Sequence, residues 1–519
     1  MLNRAAELNR AAEPDRGEYV ADAVVVGGGG SGLAAATALV QRGAEVVVLE
    51  KQAELGGTTR IAVGSFTAAG TALQRAAGVI DNLKWHAEDA AKFAPPQIEA
   101  RNHEPLRQMF LARAADTFDW LAALGLSFHG PSPEPPNRVP RMHNVLGGGR
   151  AYVTRLAAEV RRRGGAIHCG AQVESLIRDG LRVVGVVARV AGEVRTYRAR
   201  RGVILAAGDY ASSPSLLAQY KGPQFAAIEG INPHAHGDGH RLALQAGGRL
   251  LNMDVTYGPE LRFVPPPGLP LLGRLPSSGP LARGLAWLAA RLPPAVMRPV
   301  VKRLLVTWQH PEDALLADGA ILVNAHGERF TNECATPERE LDVARQPGKL
   351  AYLLLDGDLV SRYSAWPHFV STAPEIAYAY VRDYLRLRRD VAVADATLEG
   401  LARRRAIPPA ALRATVERYN RAATSGTPGT SGQRGARPPL VEGPWVLLGP
   451  AKAYFTTTEG GVAIDERLRV LDAADRPIAG LYAAGQNGLG GMILWGHGLH
   501  IAWAITSGRL AAESLLSDS

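Results

Sequence analysis

Residues 22–50 read DAVVVGGGGSGLAAATALVQRGAEVVVLE. Val24–Val26 form a β-branched run that suits a buried strand. Gly27, Gly29 and Gly32 follow on the spacing G-x-G-x-x-G. Leu33–Arg42 has helical composition, and Ala44–Leu49 reads as a second strand ending at Glu50. Each part has a mechanical reason. The first Gly permits a tight strand-to-helix turn, the second lets backbone approach a pyrophosphate, and the third lets helix and strand pack closely. The amides of Gly30 and Ser31 open the helix, whose free N–H groups and positive dipole end favour phosphate. Glu50 stands where a carboxylate accepts hydrogen bonds from an adenosine ribose, with Lys51 beside it. The whole unit specifies a dinucleotide site far better than its glycines alone.

Downstream the chain reads KQAELGGTTRIAVGSFTAAGT. Gly56–Gly57 with Thr58–Thr59 provide a second close backbone approach with hydroxyl donors, which favours FAD over NAD. Two later stretches, VILAAG at 203–208 and GLYAAGQ at 480–486, read as strands running into Gly turns. With GDGHRLALQAGG (237–248), ILVNAHGERFTNE (321–333), VADATLEGLA (393–402), TVERYN (415–420) and EGGVAID (459–465), they occur in one order from about residue 20 to the C-terminus. On these motifs the chain resembles the fumarate reductase / succinate dehydrogenase flavoprotein superfamily, which includes the 3-ketosteroid dehydrogenases.

The resemblance implies an α/β fold, with a Rossmann-type FAD-binding domain and an inserted α+β capping domain. The expected division is 18–255 and 445–519 for the FAD domain and 256–444 for the cap. It implies FAD contacts at Gly27, Gly29, Gly30, Ser31, Gly32, Glu50, Lys51, Gly56, Gly57, Thr58, Thr59, Val63, Gly64, Val173, Ala207, Gly208, Gly485 and Gln486. It also implies that the amides of Gly498 and Leu499, where the last helix begins, face the flavin N1/O2 edge. No His in GGTTRIAVGSF matches the one that binds flavin covalently in some relatives, so non-covalent FAD is expected. No Cys cluster or C-x-x-C-H is present, so no haem, Fe–S or other metal centre is expected. A second dinucleotide fingerprint is missing, and electrons must be exchanged with an unidentified donor or acceptor.

Enzymes of this superfamily move a hydride between flavin and carbon and a proton on the neighbouring carbon. Here the sequence departs from its relatives. The paired His before Met-Gly-Gly is replaced by Thr456–Thr457–Thr458–Glu459. The Arg general acid falls near Pro337, and the N-R-x-G-G-N segment reads Ile493–Leu494–Trp495–Gly496–His497. The Tyr of the ketosteroid enzymes is missing there too. A small dicarboxylate is therefore not the expected substrate. The remaining catalytic candidates are His497 and His500 at the helix start, with Tyr257, Tyr454 and Arg329. His497, between two glycines, can aim an imidazole that titrates near neutrality. The two tyrosines also read as core phenols, and Arg329 as a partner of Glu333.

Composition sets outer bounds. At 519 residues two domains are expected. The two cysteines, Cys169 and Cys334, fit a reducing cytoplasm. The opening residues lack a secretory h-region, although LNRAAE at 2–7 recurs at 8–13. The net charge of +9 comes mostly from Arg without aromatic interleaving, so nucleic acid is not an expected partner. Residues 261–311 contain no Asp or Glu but seven cations, with Leu and Val at helical spacing. Burial on the cap or in an oligomer interface is the preferred reading, and a peripheral contact with an anionic membrane the second. Either way the apolar insert points to a lipophilic carbonyl substrate. A redox-neutral flavoprotein isomerase or hydratase, or a flavin-bearing electron-transfer or docking subunit, also fits the sequence.

Overall fold

The computed structural model describes residues 18–266, 284, 302, 306, 310–373, 377–425 and 438–518. The insert read as amphipathic therefore lies mostly outside the described residues.

The opening unit folds as its glycines require. β1 (Glu18–Val26) pairs in parallel with β2 (Val46–Glu50), and α1 (Gly30–Gln41) crosses between them. β1 begins well before the expected run at Val24 because Glu18–Ala21 ladder onto Thr196–Ala199. The sheet order is Arg469–Leu471, Pro477–Ala483, Glu193–Leu205, β1, β2, Ala166–Cys169, and the antiparallel pair Ala171–Asp179 and Arg182–Val190 joins it through Glu193–Leu205. Strands in its centre are buried on both faces. The in–out alternation of a half-exposed sheet is therefore absent, and Ala23–Val25 are 0% exposed. Helix α1 is buried along nearly its whole length, between the sheet and the last helix, Leu499–Ser517. Contact between these helices depends on Gly508, where a Cβ would stand 2.2 Å from Ser31 O.

A second core surrounds a six-stranded sheet centred on Trp445–Phe455. That strand pairs with Ala351–Leu355, Ala392–Asp395, Glu260–Phe263 and the short Glu229–Gly230. The expected division puts 445–455 with the returning FAD domain; in the fold these residues are the middle strand of the second sheet. Their apolar side chains pack with Ile321–Val323 and Leu353–Leu355, so the switch between layers comes at Thr456. Among the described residues no helix is long and apolar enough to cross a membrane.

Candidate active site

The two layers meet at a cavity of about 600 Å³. Its floor is the first turn of the Rossmann unit. Gly27 has φ +110°, and a Cβ there would come within 2.3 Å of Ala206 O. Gly32 is closer still: a Cβ would stand 1.9 Å from Gly27 O. Glu50, 8% exposed, accepts hydrogen bonds from the amides of Gly28 and Gln52, both at 2.8 Å. Gly56 N–H donates to Gly28 O at 2.9 Å, which draws the GGTT turn over the glycine loop. Thr59 Oγ1 accepts from Gly30 N–H at 3.2 Å. Lys51 is held by Asp238 at 2.7 Å.

Of the expected cofactor residues, Gly27, Gly29, Gly30, Ser31, Glu50, Lys51, Gly57, Thr58, Thr59, Val173, Ala207, Gly208 and Gln486 line this cavity. The others support it from behind. Gly32, Gly56 and Gly485 make close backbone contacts, the last donating to Ser507 Oγ at 2.8 Å. Val63 is 60% exposed and Gly64 packs against Gly149, so neither reaches the cavity wall. The Leu499 amide donates to Gly496 O at 3.2 Å, and Gly498 packs on Thr67. The two residues thus form a local turn at the start of the last helix, outside the lining of the cavity. A dinucleotide fits the remaining wall. The glycine loop admits backbone-close phosphates, and Gln486 Oε1 and Asn487 Nδ2 are buried without a hydrogen-bond partner among the described residues. Gln486 Nε2 already donates to Thr457 Oγ1 and Thr458 O, each at 2.8 Å.

At the cap end the strand register sets the chemistry. Glu260–Phe263 alternates outward and inward, so Leu261 and Phe263 are buried while Glu260 and Arg262 turn the other way. Arg262 lines the cavity and donates to Glu260 Oε2 at 2.7 Å and to Thr456 Oγ1 at 3.2 Å. Tyr454, opposite Glu229 and Glu260 in the ladder, also lines it. Burial pushes the phenols of Tyr257 and Tyr454 up to about 12, so both are neutral donors at neutral pH. The Tyr257 ring meets Trp495 edge-on at 5.6 Å.

Two carboxylate–imidazole pairs bracket the turn before the last helix. Glu134 accepts from the His497 amide and sits 2.7 Å from His497 Nδ1. Glu459 accepts from the Leu494 amide at 3.0 Å and sits 2.7 Å from His500 Nε2. Glu459 is wholly buried, and the His497 side chain is 66% exposed. The hydrogen bond that the His497 ring donates to Glu134, reinforced by the charges of Glu134 and Glu260, raises the His497 pKa above its ordinary value. His310 is in the same electrostatic neighbourhood, and burial lowers its pKa. Arg329 is not brought here. It forms a two-pronged ion pair with Glu333 at 2.8 and 2.6 Å and lies over the Tyr419 ring in the cap.

Sequence reasoning missed Glu134, Glu260, Arg262 and His310. Glu134 lies in a Pro-rich stretch that reads as a surface loop, and it meets His497 across a separation of 363 residues. Its one local signal is a single acid among prolines.

Comparisons with known proteins agree with this architecture. The chain matches the protein family described as an FAD binding domain over residues 22–269 and 278–495. It is 27% identical to the probable fumarate reductase Ifc3 of Shewanella frigidimarina, over 95% of this chain and 74% of that one. It is 26% identical to the 4-oxocyclohexanecarboxylate 2-dehydrogenase of Sinomonas cyclohexanicum, over 89% of this chain and 87% of the other. The open conformation of a flavocytochrome c3 fumarate reductase superposes with a TM-score of 0.71 at 25% identity, covering 96% of this chain and 78% of that structure. The chain therefore belongs to the FAD-binding family of fumarate reductase-like flavoproteins, and it is an FAD-dependent oxidoreductase.

Proposed function

We propose that this oxidoreductase makes or reduces a C=C bond next to a carbonyl in a small lipophilic substrate. One observation supports the reading: His497 is held against Glu134 at 2.7 Å in the turn before the last helix, and the positions where the resemblance would place dicarboxylate clamps read Thr456, Thr457 and Pro337. Glu134 and Glu260 place two carboxylates near this end, with Arg262 occupied by Glu260. A doubly anionic substrate would be repelled there, whereas a neutral ketone finds donors and the Tyr257–Trp495 pair. The relative named for 4-oxocyclohexanecarboxylate supports a cyclic ketone as the substrate class.

Bound FAD would accept or return a hydride, held without a covalent link by the Gly27–Gly32 loop, Glu50 and Gln486. His497, whose pKa Glu134 raises, donates a hydrogen bond to the substrate carbonyl and stabilises negative charge developing on its oxygen. Tyr257 and Tyr454 serve as neutral donors that orient the substrate. Glu459 and His500 hold the turn on which His497 rides. Electrons pass to or from a separate carrier, and the acid-free 261–311 stretch is read as packing on the cap or in an oligomer interface, with Val306 buried and Lys302 paired with Asp383.

The test is anaerobic. Oxidised and dithionite-reduced protein is mixed with saturated ketones and enones, cyclohexanone and 4-androstene-3,17-dione among them, and the flavin spectrum is followed. Bleaching by a ketone or reoxidation by an enone, lost in His497→Ala, is the expected result. A flavin that responds equally in wild type and variant would remove His497 from the chemistry, and one that responds to none of the panel would reject the carbonyl reading. Acid precipitation should release all the flavin into solution.

A further inference from the structure

A ketone substrate has a far end as well as a reacting one, and strand register decides what the second sheet presents to it. In a strand every second residue shares a face. Glu260 and Arg262 therefore lie together, as do Lys452 and Tyr454, while the intervening Leu261 and Ala453 are buried. Pairing sets these rows side by side. Tyr454 lies opposite Glu229 on one side and Glu260 on the other, and Lys452 lies opposite Arg262. Arg262 and Tyr454 line the cavity.

Charge singles out Arg262. The other Lys and Arg side chains of the cavity wall are balanced within it, Lys51 by Asp238 and Arg60 by Glu54. Glu260, the partner of Arg262, is not part of that wall. Its Oε2 accepts from Arg262 Nε at 3.1 Å and from Nη2 at 2.7 Å. Beside this pair, Glu229 is shared by Lys349 at 3.0 Å and Lys452 at 3.5 Å. Among the described residues of this patch three cations thus share two carboxylates, and one positive charge is left over. Tyr454 adds none: burial, with the charge of Glu229, pushes its phenol up to about 12, so it stays a neutral donor.

We propose that Arg262 and Tyr454 form a carboxylate subsite, and that the substrate is a keto acid with a single carboxylate remote from its reacting carbons. The guanidinium donates to that carboxylate, and the Tyr454 hydroxyl supplies a second donor. Glu260 and Thr456 bond Arg262 Nη2 at 2.7 and 3.2 Å and hold it in place before substrate arrives. A donor already held loses little freedom on binding. The surplus of one charge matches one carboxylate. A second would meet Glu229 and Glu260 uncompensated, so a dicarboxylate is still refused. The neutral ketone proposed above thereby becomes a monoanion, and the subsite rests on that reading for the reacting end.

Calorimetric titration of the FAD-loaded protein tests the subsite without turnover. The probes are 4-oxocyclohexanecarboxylate and its methyl ester, one ring with and without the charge. Wild type should bind the acid at least about tenfold more tightly than the ester, as a hydrogen bond between charged groups provides, and the preference should shrink as salt is raised. Arg262→Gln should lose the preference while ester binding and flavin content stay at wild-type levels, and Arg262→Lys should recover part of it. Glu260→Gln removes a negative charge and should tighten the acid alone. Equal binding of acid and ester, binding of neither, or a preference that survives in Arg262→Gln overturns the subsite. Flavin lost from an Arg262→Gln protein that remains folded also overturns it, by assigning the guanidinium to the cofactor. The reacting end is read separately from the flavin spectrum: a preference for the acid, with a flavin that no ketone or enone changes, would reject the carbonyl reading and leave the subsite standing.

Discussion

Glu134 grips His497 twice, accepting a hydrogen bond from its backbone amide at 2.7 Å and lying 2.7 Å from its Nδ1. One carboxylate thereby fixes both the turn and the ring. The amide bond sets where His497 sits, and the ring bond sets which nitrogen faces the cleft, leaving Nε2 outward. The 6% exposure of Glu134 keeps this interaction out of bulk water.

Glu134→Gln should therefore separate position from charge. The amide oxygen can still accept from the His497 N–H, but the negative charge is gone. The His497 pKa should fall toward the ordinary histidine value, and the limb of the pH profile that reports loss of its proton should move to lower pH. The sign for stability is the same. A raised His pKa contributes stability that is present below the unfolded value near about 6.5 and is lost as pH rises through the folded value. Glu134→Gln should thus narrow the stability difference between about pH 6 and pH 9, measured by thermal unfolding. A limb that stays in place would show that Glu134 is not the source of the shift.

Gly32 tests the nucleotide floor. Its Cβ would stand 1.9 Å from Gly27 O, a backbone atom that cannot rotate away. Gly32→Ala must push α1 off the glycine loop, at a cost of roughly 1–3 kcal/mol. Purified variant should carry little FAD. Gly43→Ala is a control for backbone strain alone: its φ of +80° disfavours alanine, but a Cβ there meets nothing within 4 Å, so it should keep its flavin. Full flavin content in Gly32→Ala would mean that the turn is far softer than its contacts indicate.

These two sites also mark what is legible in the sequence. Gly27–Glu50 can be read because its rule is local: a strand, three spaced glycines, a helix and an acid within one βαβ unit. His497 is legible for a similar reason, as a lone imidazole between glycines at a helix start. The partners of His497 are not. Glu134 arrives from a loop fixed by the buried Arg141, which bonds Asp81, Asp89 and Asn137. Nothing near Glu134 in sequence encodes that anchorage. Arg262 faces the cleft, and Glu260 meets it, because of strand register against Trp445–Phe455, and register is set by pairing, not by composition. The bond from the Leu499 amide to Gly496 O is equally illegible, because it depends on how the turn closes and not on its composition.

Arg329 separates fold from catalysis in the cap. Glu333 is fully buried and accepts from both Arg329 nitrogens and from the Leu322 amide at 3.1 Å. Breaking a buried pair from one side costs roughly 3–5 kcal/mol. Glu333→Ala should lower the unfolding midpoint sharply. The turnover of the molecules that remain folded should stay close to that of wild type, measured against flavin content. A large loss in turnover per flavin would return Arg329 to the site.

Acid should unfold this protein through buried imidazoles. Burial lowers the pKa of His86 to about 3 and those of His143 and His240 to about 4. All three are at most 1% exposed, and both ring nitrogens of His86 lack a partner among the described residues. In the unfolded chain each binds a proton near about pH 6.5, whereas in the native state each stays neutral until the pH is much lower. The unfolded state therefore holds more protons across this window, and stability falls as pH drops below about 6.5. Each group contributes at most ~1.4 kcal/mol per pH unit. His86→Leu removes one of the three and also removes both of its unsatisfied nitrogens. It should raise stability at about pH 7 by about 1 kcal/mol, and more at about pH 5, where the wild-type ring opposes folding further. Urea unfolding at the two pH values measures both numbers. An equal gain at both would show that His86 is not titrating on unfolding, and a loss at both would show that its ring fills space that leucine cannot.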